Sequence, residues 1–327
     1  MTAAGAGAIL ATRGGARRTF EFRGSTVLIT GGSRGLGLVL ARQFAREGAR
    51  LALCARNAGE LAAAQQQLPG ADVLSVPCDV TDQAQVEAMV QQVKSHFGQI
   101  DVLINNAGIM TVGPMENMTI DDYREAMDTN FWSAVYTSLA VIPEMQKKRA
   151  GRIVNICSIG GKIGVPHLLP YCASKFALGG FSQGLRAELR KDGILVTAIY
   201  PGLMRTGSPR NADFKGQHQA EYAWFSISDS IPGLSISAEQ AAQEIVNATR
   251  EGQAERILSV AAKMGVGVNS LLPEFTGELL GLANRLLPGP GGIGKERRKG
   301  HESESSLSPS IATVLTERAA ERNNQLA

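Results

Sequence analysis

Thr30-Gly31-Gly32-Ser33-Arg34-Gly35-Leu36-Gly37 decides the reading of this chain. It joins one apolar run, Thr26-Val27-Leu28-Ile29, to another, Leu38-Val39-Leu40-Ala41. Gly31, Gly35 and Gly37 at this spacing, between a strand and a helix, build a turn whose backbone can approach a dinucleotide pyrophosphate. The helix start adds free N–H groups and the positive end of a dipole. The spacing departs from the usual G-x-G-x-x-G, so the turn gains meaning only from its partners further along the chain.

Outward from the turn, apolar and amphipathic segments alternate as far as about residue 200. Strands are expected at Thr26–Thr30, Arg50–Ala55, Val73–Val76, Val102–Asn105, Arg152–Ser158 and Leu195–Tyr200, with Arg256–Val260 as one more. Between them, helices are expected at Leu36–Glu47, Asn57–Gln67, Asp82–Phe97, Ile120–Lys148 and Tyr171–Lys191. Short apolar runs alternating with longer amphipathic ones predict an α/β domain, a doubly wound parallel sheet covered on both faces, over residues 25–262.

Beyond this domain, Leu279, Leu282, Ala283 and Leu286 fall at i, i+3, i+4 and i+7, which predicts an amphipathic helix within residues 263–288. Internal packing near a pocket or a subunit contact is expected for it. Peripheral membrane association is weighed and not favoured, because Arg285 is its lone basic residue beside Glu274 and Glu278. Pro288-Gly289-Pro290-Gly291-Gly292 then breaks structure. Residues 289–327 read as a solvated, serine-rich linker ending in a helix from Ile311 to Leu326, set apart from the domain. Residues 1–24 read as a disordered leader, its apolar patch too short to span a bilayer; a truncated membrane anchor, with Arg13, Arg17 and Arg18 as its cytoplasmic flank, is the lesser alternative.

Composition narrows the classes further. The 327 residues are 44% hydrophobic and 19% charged, with a net charge of +3, which suits a globular protein with a substantial core. No basic stripe with interleaved aromatics argues for nucleic acid. Cys54, Cys78, Cys157 and Cys172 lack metal-like pairing and read as buried thiols, the four histidines are scattered, and no metal is expected.

A second constellation is Tyr171-Cys172-Ala173-Ser174-Lys175. At i and i+4, Tyr171 and Lys175 share one face of a helix, with Cβ atoms about 5–6 Å apart. A phenol titrates near 10, and a nearby ammonium favours the phenolate. Reaching about 7 takes roughly 4 kcal/mol, which one close cation and a charged nicotinamide ring together can supply. Ser158 is expected at the end of a strand, where ligands bind in parallel sheets, with its hydroxyl beside the phenol.

Taken together, these motifs resemble the short-chain dehydrogenase/reductase family in its ordinary single-domain form, from about Gly24 to Val260. T-G-x-x-x-G-x-G matches Thr30 to Gly37, and N-N-A-G matches Asn105-Asn106-Ala107-Gly108. The family's catalytic asparagine, serine, tyrosine and lysine match Asn130, Ser158, Tyr171 and Lys175. Its P-G motif matches Pro201-Gly202, and the threonine placed on the carboxamide matches Thr206. Asp79, before Val80, resembles the adenine-contacting aspartate, while a turn carboxylate is an equally ordinary role for it. The resemblance implies a Rossmann fold, with a cofactor on Gly31, Ser33, Arg34, Gly35, Leu36, Gly37, Arg56, Asp79, Val80, Asn106, Ala107, Gly108, Tyr171, Lys175, Pro201, Gly202 and Thr206. Tyr171 becomes general acid or base, and Lys175 binds the ribose and lowers the phenol's pKa. Ser158 polarises the carbonyl, and Asn130 holds a water for proton exchange.

Where an NAD enzyme typically ends its second strand in an acid, this chain has Ala55 followed by Arg56, with Arg34 in the glycine turn. Two guanidinium groups and no carboxylate suit a 2′-phosphate, so NADP(H) is expected. The function expected is carbonyl reduction or alcohol oxidation on a small-molecule substrate, in a cytoplasmic homodimer or homotetramer. A non-catalytic NADP(H)-sensing protein is the rival, against which the complete catalytic set argues. Gly207 to Ser237 resembles the family's lid. Its Phe214, Tyr222, Trp224, Phe225 and Ile231 suggest either a large apolar, lipid-like or ring-containing substrate, or simple anchoring of the lid.

Overall fold

A computed structural model of the protein describes residues 19–310 and 313–326. Residues 1–18 of the predicted leader lie outside the described residues; residues 19–24 are packed on the domain rather than disordered, with Phe22 buried and the Phe20 N–H donating to the Arg250 carbonyl at 3.1 Å. Seven parallel strands form the central sheet: β1 (Thr26–Thr30), β2 (Arg50–Ala55), β3 (Val73–Pro77), β4 (Val102–Asn105), β5 (Gly151–Ile156), β6 (Ile194–Tyr200) and β7 (Glu255–Ile257). Their order is β7-β6-β5-β4-β1-β2-β3, a doubly wound topology that reverses between β1 and β4. All five residues of β1 are buried, as a strand covered on both faces requires.

Helices α1 (Gly35–Arg46), α2 (Ala58–Gln66), α3 (Gln83–Phe97), α4 (Ile120–Met127), α5 (Ser133–Lys148), α6 (Leu169–Leu189), α7 (His218–Ser230) and α8 (Ala238–Glu251) follow in chain order. One apolar cluster packs α1, α2 and α8 under Val27 and Ile29 of β1; a second packs α3 and α5 over Leu28. The expected single helix from Ile120 to Lys148 is interrupted. A π turn at Asp128–Trp132 separates α4 from α5, at the position of Asn130. Such insertions in a helix recur at functional sites.

Two further expectations need correction. The apolar spacing predicts one helix; the structure has two, α9 (Val260–Leu271) and α10 (Pro273–Asn284), with Leu286 beyond the second, and neither packs over the pocket. Leu271 is 81% exposed, Leu279 54% and Leu282 57%. Apolar periodicity sets a helix's stripe but not what covers it.

The segment after residue 289 is not a solvated linker. Arg298–Lys299 pairs antiparallel with Asp213–Phe214, and Gly300, Ser303, Ser308, Thr313 and Thr316 are buried. The terminal helix forms as α11 (Val314–Arg322), with Ala319 and Ala320 fully buried. Two basic residues before it bond to the domain: Arg297 pairs with Asp122 at 2.7 Å, and Lys299 with Asp213 at 2.8 Å. Asp122 also holds the buried Lys215 at 2.6 Å, so one carboxylate ties α4, the lid and the tail together.

Candidate active site

The cleft opens where the strand order reverses. Thr30, closing β1, accepts the Asn106 and Ala107 backbone N–H groups on its Oγ1, at 3.0 and 3.1 Å. In return, the Asn106 amide donates to the carbonyls of Thr30 and Gly31, at 3.0 and 3.1 Å. The two glycine motifs predicted from sequence are thus bonded to each other. Gly37 is obligatory here, because a Cβ on it would stand 2.0 Å from the Gly31 carbonyl oxygen. Gly31 itself adopts φ +63°, a backbone region that side chains disfavour.

This turn forms one wall of a cleft of about 550 Å³. Along it the structure brings together Gly31, Ser33, Arg34, Gly35, Leu36, Arg56, Asp79, Val80, Asn106, Ala107, Gly108, Pro201, Gly202 and Thr206. Ser158, Tyr171 and Lys175 line the same cleft, beside the backbone of Ile156 and Cys157. Gly37 and Asn130 stand behind the wall as supports.

Ser158 lies two residues past the end of β5 rather than in the strand. It caps a short 3₁₀ turn, accepting the Gly160 N–H at 3.0 Å. Burial pushes the Tyr171 phenol up to about 12, opposed by the neighbouring Ser158 hydroxyl. Burial pushes the Lys175 ammonium down to about 8. The expectation of a phenol lowered by its lysine is therefore not met in the protein alone. Lys175 points Nζ at the Ile156 carbonyl, 2.8 Å away, and lies 5.6 Å from the Tyr171 ring centre. Desolvation outweighs a cation at that distance.

Asn130 is wholly committed. Its Oδ1 accepts from the Ile109 N–H at 2.8 Å, and its amide donates to the Ile109 carbonyl at 3.0 Å and to Ser174 Oγ at 2.9 Å. The side chain braces the loop after β4 against α6, so the expected role of holding a water does not fall to its side-chain atoms. Asp79 accepts from Thr81 N and Oγ1, at 3.0 and 2.8 Å, which is a turn carboxylate's geometry, while still lining the cleft.

Several cleft residues escape sequence reading. Glu60, on α2, accepts from Ser33 Oγ at 2.8 Å and stands 3.6 Å from Arg34. A carboxylate thus does face Arg34, contrary to the expectation drawn from the end of β2 alone. Arg34 also donates to Asn211 Oδ1 at 2.9 Å. Asp213, Lys299 and Gln325 join the lining from the lid and the tail. Helix N-cap spacing could have placed Glu60 in the first turn of α2; nothing local to the tail could have placed Gln325.

The lid aromatics are anchors. Phe214, Tyr222 and Phe225 are buried with Val112, Leu168 and Cys172, and Trp224 donates to Glu221 Oε2 at 2.6 Å. None of them lines the cleft, so they give no support to an apolar substrate. Among the described residues, no group of side chains is arranged to hold a metal ion, and no helix is long and apolar enough to cross a membrane.

Comparison with known proteins agrees with this architecture. The short chain dehydrogenase family profile matches residues 25–215. Dehydrogenase/reductase SDR family member 7B of Bos taurus is 36% identical over 245 residues, 72% of this chain and 74% of that protein. Gluconate 5-dehydrogenase of Gluconobacter oxydans (strain 621H) is 36% identical over 57% of this chain and 74% of its own length. The crystal structure of levodione reductase superposes with a TM-score of 0.63 at 27% identity, covering 74% of this chain and 98% of that one.

Proposed function

The chain belongs to the short chain dehydrogenase family, and from that premise we propose that it is an NADP(H)-dependent oxidoreductase. It interconverts a carbonyl and an alcohol on a small molecule. The observation that carries this reading is one continuous cleft with Ser158, Tyr171 and Lys175 in its wall and a glycine turn bearing Arg34 in the same wall. The nicotinamide, when bound, supplies or accepts the hydride.

In this reading Tyr171 is the proton donor for reduction and the acceptor for oxidation. A buried phenol that keeps its proton is in the right state to donate. Ser158, in the cleft wall beside the phenol, orients the substrate oxygen. Lys175 would hold the ribose hydroxyls by hydrogen bonds, and its retained positive charge steadies the developing phenolate. Asn130 positions the loop and the start of α6 on which these groups stand. The start of α1, where backbone amides and the helix dipole favour anions, would hold the dinucleotide phosphates.

Preference for NADP(H) rests on Arg34 and Arg56 outweighing Glu60 for a 2′-phosphate. The lining is mixed: Met110 packs on the same apolar cluster as Tyr171, and the paired Asp213 and Lys299 line the cleft as well. A homodimer or homotetramer is proposed through the helices around Asn130 and Tyr171, which present Trp132, Leu139 and Phe176 to solvent.

The test is consumption of NADPH by purified protein against a panel of ketones and aldehydes, run beside Tyr171→Phe. Turnover that disappears with the phenol supports the reading. Absence of any dinucleotide binding overturns it and leaves the chain a family member without the family's chemistry.

A further inference from the structure

After the Gly/Pro break, the tail travels back across the lid to the glycine turn. Ile293 donates its N–H to the Gly216 carbonyl at 3.0 Å, and Gly300 packs against Pro209 and Tyr222. Helix α11 crosses Gly207 so closely that a Cβ there would lie 2.3 Å from the Ala320 Cα. The chain then sets Asn323, Asn324 and Gln325 directly on the cofactor loop.

The contacts are polar and specific. The Gly35 N–H donates to the Asn323 carbonyl at 2.8 Å. Asn324 donates from Nδ2 to the Ser33 carbonyl at 3.0 Å and to the Glu60 carbonyl at 3.3 Å. Gln325 accepts the Asn211 amide twice, on its backbone carbonyl at 3.0 Å and on Oε1 at 2.6 Å. Asn211 in turn accepts from Arg34, so the tail reaches the arginine through one intermediary. Arg42 fastens the approach, donating to Asn323 Oδ1 at 3.1 Å and to the Arg322 carbonyl at 2.6 Å.

Gly35 opens α1, and its amide is a donor that a dinucleotide phosphate in this cleft would seek. A neutral carbonyl oxygen occupies that donor. We propose that residues 323–325 are a competitive strap: the Asn323 carbonyl holds the Gly35 amide against a dinucleotide phosphate, so that cofactor binding lifts the tip of the tail and the strap's occupancy sets the apparent affinity. The proposal rests on the reading of the cleft as a dinucleotide site. Helix α11 stays in place throughout, anchored by Thr316, Ala319 and Ala320; only the tip exchanges. A site open only part of the time binds more weakly in proportion to the fraction that is open.

The experiment compares the full chain, a chain ending after Arg322, and an Asn324→Ala/Gln325→Ala double variant, each confirmed as folded by thermal melting. NADPH and NADH are titrated calorimetrically into all three. Loss of the strap is expected to tighten both cofactors about three- to tenfold, because the competition is at a phosphate common to the two. In the full chain, NADPH is expected to speed hydrogen exchange over residues 323–326 while residues 314–320 stay protected. Unchanged or weaker binding in both variants, with the full chain binding normally, overturns the strap and leaves the oxidoreductase reading standing. Failure of all three proteins to bind either dinucleotide overturns that reading and the strap with it.

Discussion

The ammonium of Lys175 lies 5.6 Å from the ring centre of Tyr171, one turn along the same helix, with both groups desolvated. The two buried groups move in opposite directions, the phenol up to about 12 and the ammonium down to about 8. Each shift favours the neutral form. The pair thus waits in its protonated-phenol state.

Tyr171→Phe keeps the ring and removes the proton. Turnover is expected to fall about 10²–10⁴-fold with cofactor binding retained, as for loss of a general acid–base group. Steady-state kinetics beside an NADPH titration checks this; near-wild-type turnover would remove Tyr171 from the chemistry.

Arg34 is shared between Asn211 and Glu60, so charge at Glu60 opposes a 2′-phosphate. Arg34→Ala is expected to weaken NADPH roughly tenfold or more, at about 1.5–3 kcal/mol per hydrogen bond to a charged group. Glu60→Gln is expected to strengthen NADPH relative to NADH. Titration of both cofactors decides it, and equal affinity in the unmodified protein refutes the preference.

Gly37→Ala places a methyl 2.0 Å from the Gly31 oxygen and 2.7 Å from the Asn106 amide. The turn must open, at an overpacking cost of about 1–3 kcal/mol. A lower melting temperature and lost dinucleotide affinity are expected together. A variant that melts and binds normally contradicts the tight approach of α1 to the turn.

Asp229 is buried, and burial lifts its carboxyl to about 8 against a backbone hydrogen bond and the charge of Arg205. Its Oδ2 has no hydrogen-bond partner. Unfolded, the group titrates near 4, so between about pH 4 and 8 the folded state holds the extra proton. Its contribution to stability is full below pH 4 and is lost as the pH rises through 8. Asp229→Asn is expected to flatten this fall and to melt higher than the unmodified protein at pH 8. Identical pH profiles from calorimetry would contradict it.

The central sheet is legible in the sequence because its strands are buried on both faces and read as unbroken apolar runs, as in Val102–Ile104. The glycine motifs are legible because backbone approach tolerates so few residues. The break at Asn130 is not, since Asp128–Trp132 holds neither the glycine nor the proline that marks a helix break in sequence. The tail misleads for a physical reason. It docks through Ser303, Ser308, Thr316, Asn323 and Gln325, buried polar residues that carry no hydrophobic period and read like those of a solvated linker. Glu60 escapes a reading confined to the end of β2, because it stands in the first turn of the helix after that strand.

The bond from Asn324 to the Ser33 carbonyl joins positions 291 apart in sequence. Closing so long a loop costs little more than closing a short one, because the entropy grows only logarithmically with length. Its order in time is another matter. During synthesis Ser33 emerges 291 residues ahead of Asn324, so at roughly 5–20 residues per second many seconds separate them. Throughout that interval the newborn glycine turn stands bare, with its α1 amides available to the first anion that reaches them.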